Sequence, residues 1–480
     1  MKTLIAPDHP FGRLDGLGLA ELVRRKEVTP QELLDWALAN VAAVNPDLNC
    51  IAHRHEESAR AQIARGLPDG PFRGVPFLVK DLGVELAGTV TSMGSRAWLG
   101  GPPSAHDSEL VARYRRAGLV IFGKTTSPEL GITFVTESRA FGLTRNPWDL
   151  TRTPGGSSGG AAAAVASGVV PMAHGSDGGG SIRVPASCTG LFGLKPSRGR
   201  TPSGPDATEP WLGLLVSHAL TRTVRDSAAL LDATAGFEPG ARSALPPPRG
   251  SFLSELTRPA DRLRIGLLPM PPTGVAVDIE CFRAMREAAR LCESLGHQVE
   301  EADVSLDGEA LDRGFLVLIQ TLVAQSLRDR GLARGRPVTA EEVESVTWMH
   351  AEQGARLGAL ALADANDDFQ RAAIAVARAQ ARHDVLLSPT LAKPPIPLGV
   401  LGLSPTDVEA FRREFAGFSP FSWLANVTGQ PSMSVPLHWS SSGLPIGVMF
   451  TGRFGEEGTL LRLARQLEEA SPWFDRRPGG

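Results

Sequence analysis

The sequence predicts an α/β fold built on a mainly parallel β-sheet, and three observations predict it. Short apolar runs such as Val75 to Val79 and Leu119 to Phe122 suit buried strands. Stretches with helical apolar spacing separate them. The strand, helix, strand order occurs twice, around residues 75–122 and again around 263–304, and a crossover helix between two buried strands is the mark of parallel pairing.

The elements follow in order. Thr29-Pro30-Gln31-Glu32 is a capping box with proline at the first helical position, and Leu34, Ala37, Leu38 and Val41 continue at helical spacing, predicting a helix over about 30–44. After the turn-rich 66–74 segment, Val75 to Asp81 reads as a buried strand that ends in two charges, Lys80 and Asp81, at its edge. A helix over about 107–117 feeds a second buried strand at 119–122. Residues 151–204 are dominated by Gly, Ser and Ala, so backbone there lies close to backbone or to a ligand. Within them, Ala161 to Ala173 is too short for the roughly 20 residues of a membrane span and reads as a buried helix.

A helix over 223–235 precedes Pro246-Pro247-Pro248, a surface connection. Strands at 263–268 and 298–304 flank a helix near 279–295. Two long helical stretches follow, the second opened by a capping box at Thr339-Ala340-Glu341-Glu342. Segments 384–388 and 446–450 read as further buried strands, with Pro389 stopping the first.

Composition narrows the function. Over 480 residues, 42% hydrophobic and 21% charged side chains describe a soluble globular chain, and 52 Gly with 38 Pro supply many tight turns. A net charge of -3, from 49 basic and 52 acidic residues, gives no electrostatic reason to bind nucleic acid or an anionic membrane. A small neutral substrate fits better. Cys50, Cys188, Cys281 and Cys292 show no CxxC spacing, so neither a zinc ribbon nor a disulfide framework is expected. The segment MKTLIAPDHPFGRLDG lacks the apolar run of a secretory signal, which points to the cytoplasm. Asn426-Val427-Thr428 matches a glycosylation acceptor but means nothing without a secretory route.

Three elements carry chemistry. Gly155-Gly156-Ser157-Ser158-Gly159-Gly160 contains GxSxG twice. A nucleophile elbow needs a strand before its serine and a downstream His, yet Arg145 to Pro154 holds two prolines and several turn formers. None of His218, His297, His350, His383 or His438 stands in a distinguishing motif. In Ser176-Asp177-Gly178-Gly179-Gly180-Ser181-Ile182-Arg183, three glycines deliver a serine, and consecutive glycines let backbone N–H groups converge as an oxyanion hole requires. Asp177 and Arg183 flank that loop, either as an ion pair that stiffens it or as two solvated charges. Lys80, at the end of a buried strand, is either a snorkelling surface residue or a partly desolvated amine whose lowered pKa makes it a base near pH 7.

Together these elements resemble the amidase signature family: the strand Gly74 to Asp81, the run Gly155 to Gly160, and the loop Asp177 to Arg183 followed by Pro185 and Gly193-Leu194-Lys195-Pro196. The likeness extends to the 24-position separation of Ser157 and Ser181, and to Gly123-Lys124-Thr125, Asn146-Pro147-Trp148, Gly429-Gln430-Pro431 and Gly443-Leu444-Pro445-Ile446-Gly447. It implies one large twisted mixed sheet covered by helices on both faces, within a single domain over 1–480. A signature core at about 70–235, a helical N-terminal segment at about 1–65 and a variable substrate-lining region at about 305–425 make it up.

The resemblance also implies a mechanism. Ser181 attacks an amide carbonyl, and Lys80 takes its proton through Ser157, which follows a cis peptide bond from Gly156. The backbone N–H groups of Gly178, Gly179, Gly180 and Ser181 hold the oxyanion, with Ser158, Asp177 and Arg183 supporting them from behind. No cofactor and no metal are implied. Gly178 departs from relatives that carry a larger residue there, which loosens the loop or widens the pocket.

Within the family, the segments around His174 to Asp177 and Ser432 to Arg453 are similar to bacterial amidases of the 6-aminohexanoate cyclic-dimer hydrolase type. Those sites take unnatural amides, and a serine acyl-enzyme also serves esters, anilides or carbamates, as in a urethanase. The alternatives are a glutamine amidotransferase A-type subunit, from which Thr201 to Trp211 departs, and a catalytically idle scaffold. A monomer or homodimer is expected. Substrate choice is expected in 126–137, 315–325 and 395–421, with Phe134, Leu316 and Phe418 as apolar lining candidates.

Overall fold

The computed structural model describes residues 4–241, 245–248, 250–259 and 261–479. In chain order its strands are β1 (Ile51–Arg54), β2 (Pro76–Lys80), β3 (Val120–Thr125), β4 (Glu137–Ser138), β5 (Gly142–Leu143), β6 (Met172–Asp177), β7 (Phe192–Lys195), β8 (Val216–Thr221), β9 (Arg264–Leu267), β10 (Gln298–Glu301), β11 (Val385–Pro389), β12 (Ser432–Trp439) and β13 (Pro445–Gly452). β4 and β5 pair apart from the rest. The others form one eleven-stranded sheet, ordered β1-β3-β2-β6-β8-β7-β12-β13-β11-β9-β10.

The sheet is mixed. Parallel pairing falls where the sequence shows strand, helix, strand order: β2 with β3 and β6, and β9 with β10 and β11. The middle of the sheet, β6-β8-β7-β12-β13-β11, pairs antiparallel, as does β1 with β3, so antiparallel pairings are the more numerous.

Alternation along the strands explains why both faces are covered. In β2, Phe77 and Val79 point to one side, where they pack with Tyr114 and Leu230 from the Glu109–Arg116 and Val224–Thr234 helices. Leu78 points to the other, with Leu34 and Ala163 from the Pro30–Leu48 and Gly159–Ala166 helices. A strand with both faces dry must be apolar throughout, as this one is.

Local signals decide most element ends. The Thr29/Glu32 capping box forms in full, and the helix it opens runs through Pro46 to Leu48, four residues beyond the expected end, before Asn49 takes the left-handed conformation. The helix expected over 161–173 covers Gly159–Ala166 only. Gly168 turns the chain at φ +84°, and the apolar residues from Met172 onward belong to β6 instead. The two long helical stretches expected after β10 are three helices, Gly308–Arg334, Ser345–Gly354 and Ala359–Ala379. The second capping box forms, but its helix is a single turn, Ala340–Glu342, that ends at extended Val343.

The glycine-rich run is packed as its composition demands. Any side chain on Gly156 would overlap the backbone of Val135, so the run admits no larger residue there. The four cysteines are free and buried. No helix among the described residues is long and apolar enough to cross a membrane.

Candidate active site

Four pieces of backbone meet at one end of the sheet. β2 ends at Lys80 and β6 at Asp177, on adjacent parallel strands, with Lys80 still paired to Thr125 of β3 and Asp177 to Val216 of β8. The Ser157 loop precedes the Gly159–Ala166 helix, and the Gly178 to Ile182 loop runs from β6 into the Arg183–Thr189 helix. No strand leads into Ser157, which removes the nucleophile-elbow reading. The Gly156–Ser157 peptide bond is cis, as the resemblance implies.

Lys80 is fully buried. Its Nζ donates to Ser157 Oγ at 2.7 Å and to Ser176 Oγ at 3.0 Å, with no carboxylate of the described residues in contact. Burial disfavours the ammonium and pushes the lysine down to about 7, although the charge on Asp177 pulls the other way. Its backbone N–H donates to His174 Nδ1 at 3.1 Å, and burial holds that imidazole neutral. Ser176 was not singled out from the sequence. Its place in the Ser176-to-Arg183 loop was visible, but its contact with Lys80 depends on two strands meeting.

Ser157 and Ser181 open onto the same cavity. The Ser181 hydroxyl has no hydrogen-bond partner among the described residues, while the Ser181 carbonyl accepts from the Ser158 N–H at 3.3 Å and so ties the two serine loops together. Ser158 Oγ links to the backbone of Ser176.

Asp177 organises the Gly178 to Ile182 loop. It is fully buried, as is Arg183, and the two form a two-point ion pair at 2.9 and 3.0 Å, so the solvated alternative does not hold. Burial raises the Asp177 carboxyl, but the guanidinium and its hydrogen bonds outweigh that and hold it well below the ordinary carboxylate range. The same carboxylate accepts from the N–H groups of Gly180 at 2.8 Å and Ile182 at 3.1 Å. The Gly180 N–H is therefore spent on Asp177 and leaves the expected set of oxyanion donors. Those of Gly178, Gly179 and Ser181 make no bond to protein among the described residues.

Asn426 completes this layer. Its Nδ2 donates to the Asp177 carbonyl and carboxylate at 2.8 and 2.9 Å, and its Oδ1 accepts from Arg183 at 2.7 Å. In the sequence it stands only inside a glycosylation-like triplet, which gave no sign of this role. Gly180, at φ +135°, packs against Ser422, whose hydroxyl donates to the Gly179 carbonyl at 2.5 Å. A side chain there has neither the room nor the conformation.

The cavity above the serines has a volume of about 400 Å³, a size suited to a small organic substrate. Its walls come from all three segments expected to set specificity: Phe134, Phe315 and Phe415 among them, with Leu316 at the edge. Phe134 stacks on Phe415 with ring centroids 4.8 Å apart. Phe418 does not line it. One helical turn beyond Phe415, that ring is fully buried in the hydrophobic core. Nor does Gly178 widen the site, because the Trp211 ring lies where a side chain at 178 would sit, 2.9 Å from the position of a Cβ. Among the described residues no three His, Cys, Asp or Glu side chains converge as a metal site.

The general amidase model matches residues 32–461. The chain belongs to the amidase family. This amidase is 39% identical to a 6-aminohexanoate-cyclic-dimer hydrolase of Paenarthrobacter ureafaciens, over 97% of its own length and 96% of the relative's. It superimposes on the structure of 6-aminohexanoate cyclic dimer hydrolase complexed with substrate with a TM-score of 0.92 at 37% identity, over 98% of this chain and 99% of that one. A bacterial aryl acylamidase of the amidase signature family matches with a TM-score of 0.89 at 28% identity, over 98% and 100% of the two chains. The amidase is thus an amide-cleaving hydrolase with the amidase-signature fold.

Proposed function

We propose that this amidase cleaves small neutral amides through an acyl-enzyme on Ser181, with Lys80 as the base and Ser157 as the relay between them. The observation that carries the reading is the buried Lys80 ammonium-forming group, 2.7 Å from Ser157 and without a carboxylate partner. A lysine in that setting is neutral in a large fraction of molecules near pH 7 and can accept a proton.

Neutral Lys80 takes the Ser157 hydroxyl proton as Ser157 takes that of Ser181, and Ser181 Oγ bonds to the amide carbon. The carbonyl electron pair moves onto oxygen, facing the unspent N–H groups of Gly178, Gly179 and Ser181. Ser157 then gives a proton to the amine nitrogen, regains one from Lys80, and the C–N bond breaks. Water repeats the sequence on the ester, releasing a carboxylic acid and restoring Ser181. Asp177, Arg183, Ser158 and Asn426 hold the loop in place and take no proton.

The apolar, aromatic wall favours neutral acyl or aryl groups. By their names, two of the relatives act on a cyclic amide and on aryl acylamides. Esters, anilides and carbamates pass through the same oxyanion and are included in the proposal. We place the reaction in the cytoplasm, in a single catalytic domain that acts as a monomer or homodimer.

The test is hydrolysis of amides, anilides, carbamates and esters by the parent, Ser181→Ala and Lys80→Ala. Parent activity that falls by about 10³-fold or more in both variants supports the assignment, because neither the nucleophile nor the base is replaceable. Full activity in Ser181→Ala overturns it.

A further inference from the structure

We propose that Gln320 and Gln353 recognise a second, uncleaved amide-like group in the substrate, a neutral group offering one N–H and one C=O. The inference rests on the acyl-transfer reading of the cavity and goes further by naming the substrate class: elongated bis-amides or amide-carbamates.

The two glutamines stand on different helices that wall the cavity, Gly308–Arg334 and Ser345–Gly354. Gln320 follows Leu316 by one turn on the same helix face and is only 8% exposed. Its Nε2 donates to Gln353 Oε1 at 2.6 Å. That bond uses one function of each carboxamide and leaves the other. Gln320 keeps its carbonyl oxygen and Gln353 keeps its NH₂, and if both amides are turned round the pair still offers one acceptor and one donor. Neither remaining atom is sealed away from solvent without a partner.

The platform is fixed. Gly354 lies directly on the main-chain carbonyl of Gln320, so that a methyl there would overlap it, and the two helices touch at this point. The cavity-lining residues beside the pair on its two helices are apolar or neutral. Ile319 and Met349 flank the pair along their helices. His350, one turn before Gln353, is held uncharged by burial, which brings it to about 4. Two charged side chains line the cavity: Arg412, in an exposed pair with Glu409 at 2.9 Å, and Asp312, two turns before Gln320 on its helix. The pair itself carries no charge to meet a charged substrate terminus, whereas an apolar chain end leaves a donor and an acceptor unmet, which is costly. A group with one N–H and one C=O satisfies both.

The experiment compares two series of 4-nitroanilides on the whole chain: ω-acetamidoalkanoyl anilides of increasing length and straight-chain alkanoyl anilides of matched length. At the best length, kcat/KM for the acetamido substrate is expected to exceed that of its alkyl match by about tenfold or more, mainly through KM. In the Gln320→Leu/Gln353→Leu double variant this ratio falls to about one. The ratio is taken within one preparation, so a general loss of activity cancels. Gln353→Glu, which keeps the acceptor for Gln320 but removes the free donor, is a second check and also lowers it. A parent ratio near one, or a ratio that survives the double variant, overturns the inference while the amide-hydrolase reading stands. A chain that cleaves neither series overturns both.

Discussion

Lys80 and Ser157, 77 positions apart in the chain, meet at 2.7 Å beneath the cavity. The contact needs the end of β2, the Ser157 loop and β6 to be in place together, and it puts a lysine amine where water does not reach. The chemical consequence is its lowered proton affinity, and the predictions below follow from that or from what surrounds it.

Activity is expected to rise with pH through the Lys80 titration. In the proposed mechanism the base is the neutral amine, so log kcat/KM climbs with unit slope below about pH 7 and levels off above it. A pH–rate profile on a substrate that does not itself ionise checks this. A limb centred near the ordinary lysine value, above 10, contradicts it.

Lys80→Met is expected to be inactive yet more stable than the parent. The folded lysine binds its proton more weakly than the unfolded one, with about 7 against about 10.4. Below pH 7 both states carry the proton, and the full cost of burying the charge falls on the folded parent. From pH 7 upward the folded state sheds it first, so parent stability rises by about 1.4 kcal/mol per pH unit toward 10.4. The advantage of the methionine variant is therefore largest and flat below pH 7 and shrinks above it. Urea denaturation of the two proteins from pH 6 to 9 measures the difference.

Asp177→Asn is expected to cost about 3–5 kcal/mol of stability, because Arg183 is left buried without its counter-charge. Asn426→Ala removes donors to Asp177 but leaves the ion pair, and is expected to cost less in stability, about 1–3 kcal/mol. Both should lower kcat more than they raise KM, since in the proposed mechanism the loop they hold supplies the oxyanion donors. Denaturation midpoints and steady-state kinetics on the same samples separate the two effects.

Much of this was legible in the sequence because it is local. The Thr29/Glu32 capping box and the apolar run of β2 are written in consecutive residues, and the structure bears out both; the close approach of backbone around the glycines was legible too, but not that Val135 and Ser422 make it. What escaped depends on the fold. β6 ends in Asp177 rather than continuing a helix, because Gly168 turns the chain, and a run of small apolar residues does not itself choose between helix and strand.

The layer behind the loop was out of reach for the same reason. Asn426 reaches Asp177 from 249 positions away. Gly180 loses its N–H to the Asp177 carboxylate, which a run of glycines cannot foretell. Trp211 fills the space at Gly178. Phe415 and Phe418 stand one turn apart on the same helix, and only the packing decides that the first faces the cavity and the second the core.

The central claim is that an acyl group passes through Ser181, and trapping that ester tests it most directly. The amidase is quenched in acid during turnover of an activated 4-nitrophenyl ester, digested and mapped by mass spectrometry. The account predicts the acyl mass on the peptide holding Ser181, at that residue, and its loss in Ser181→Ala. An acyl group on Ser157 or another residue, or turnover that continues undiminished in Ser181→Ala, would contradict it.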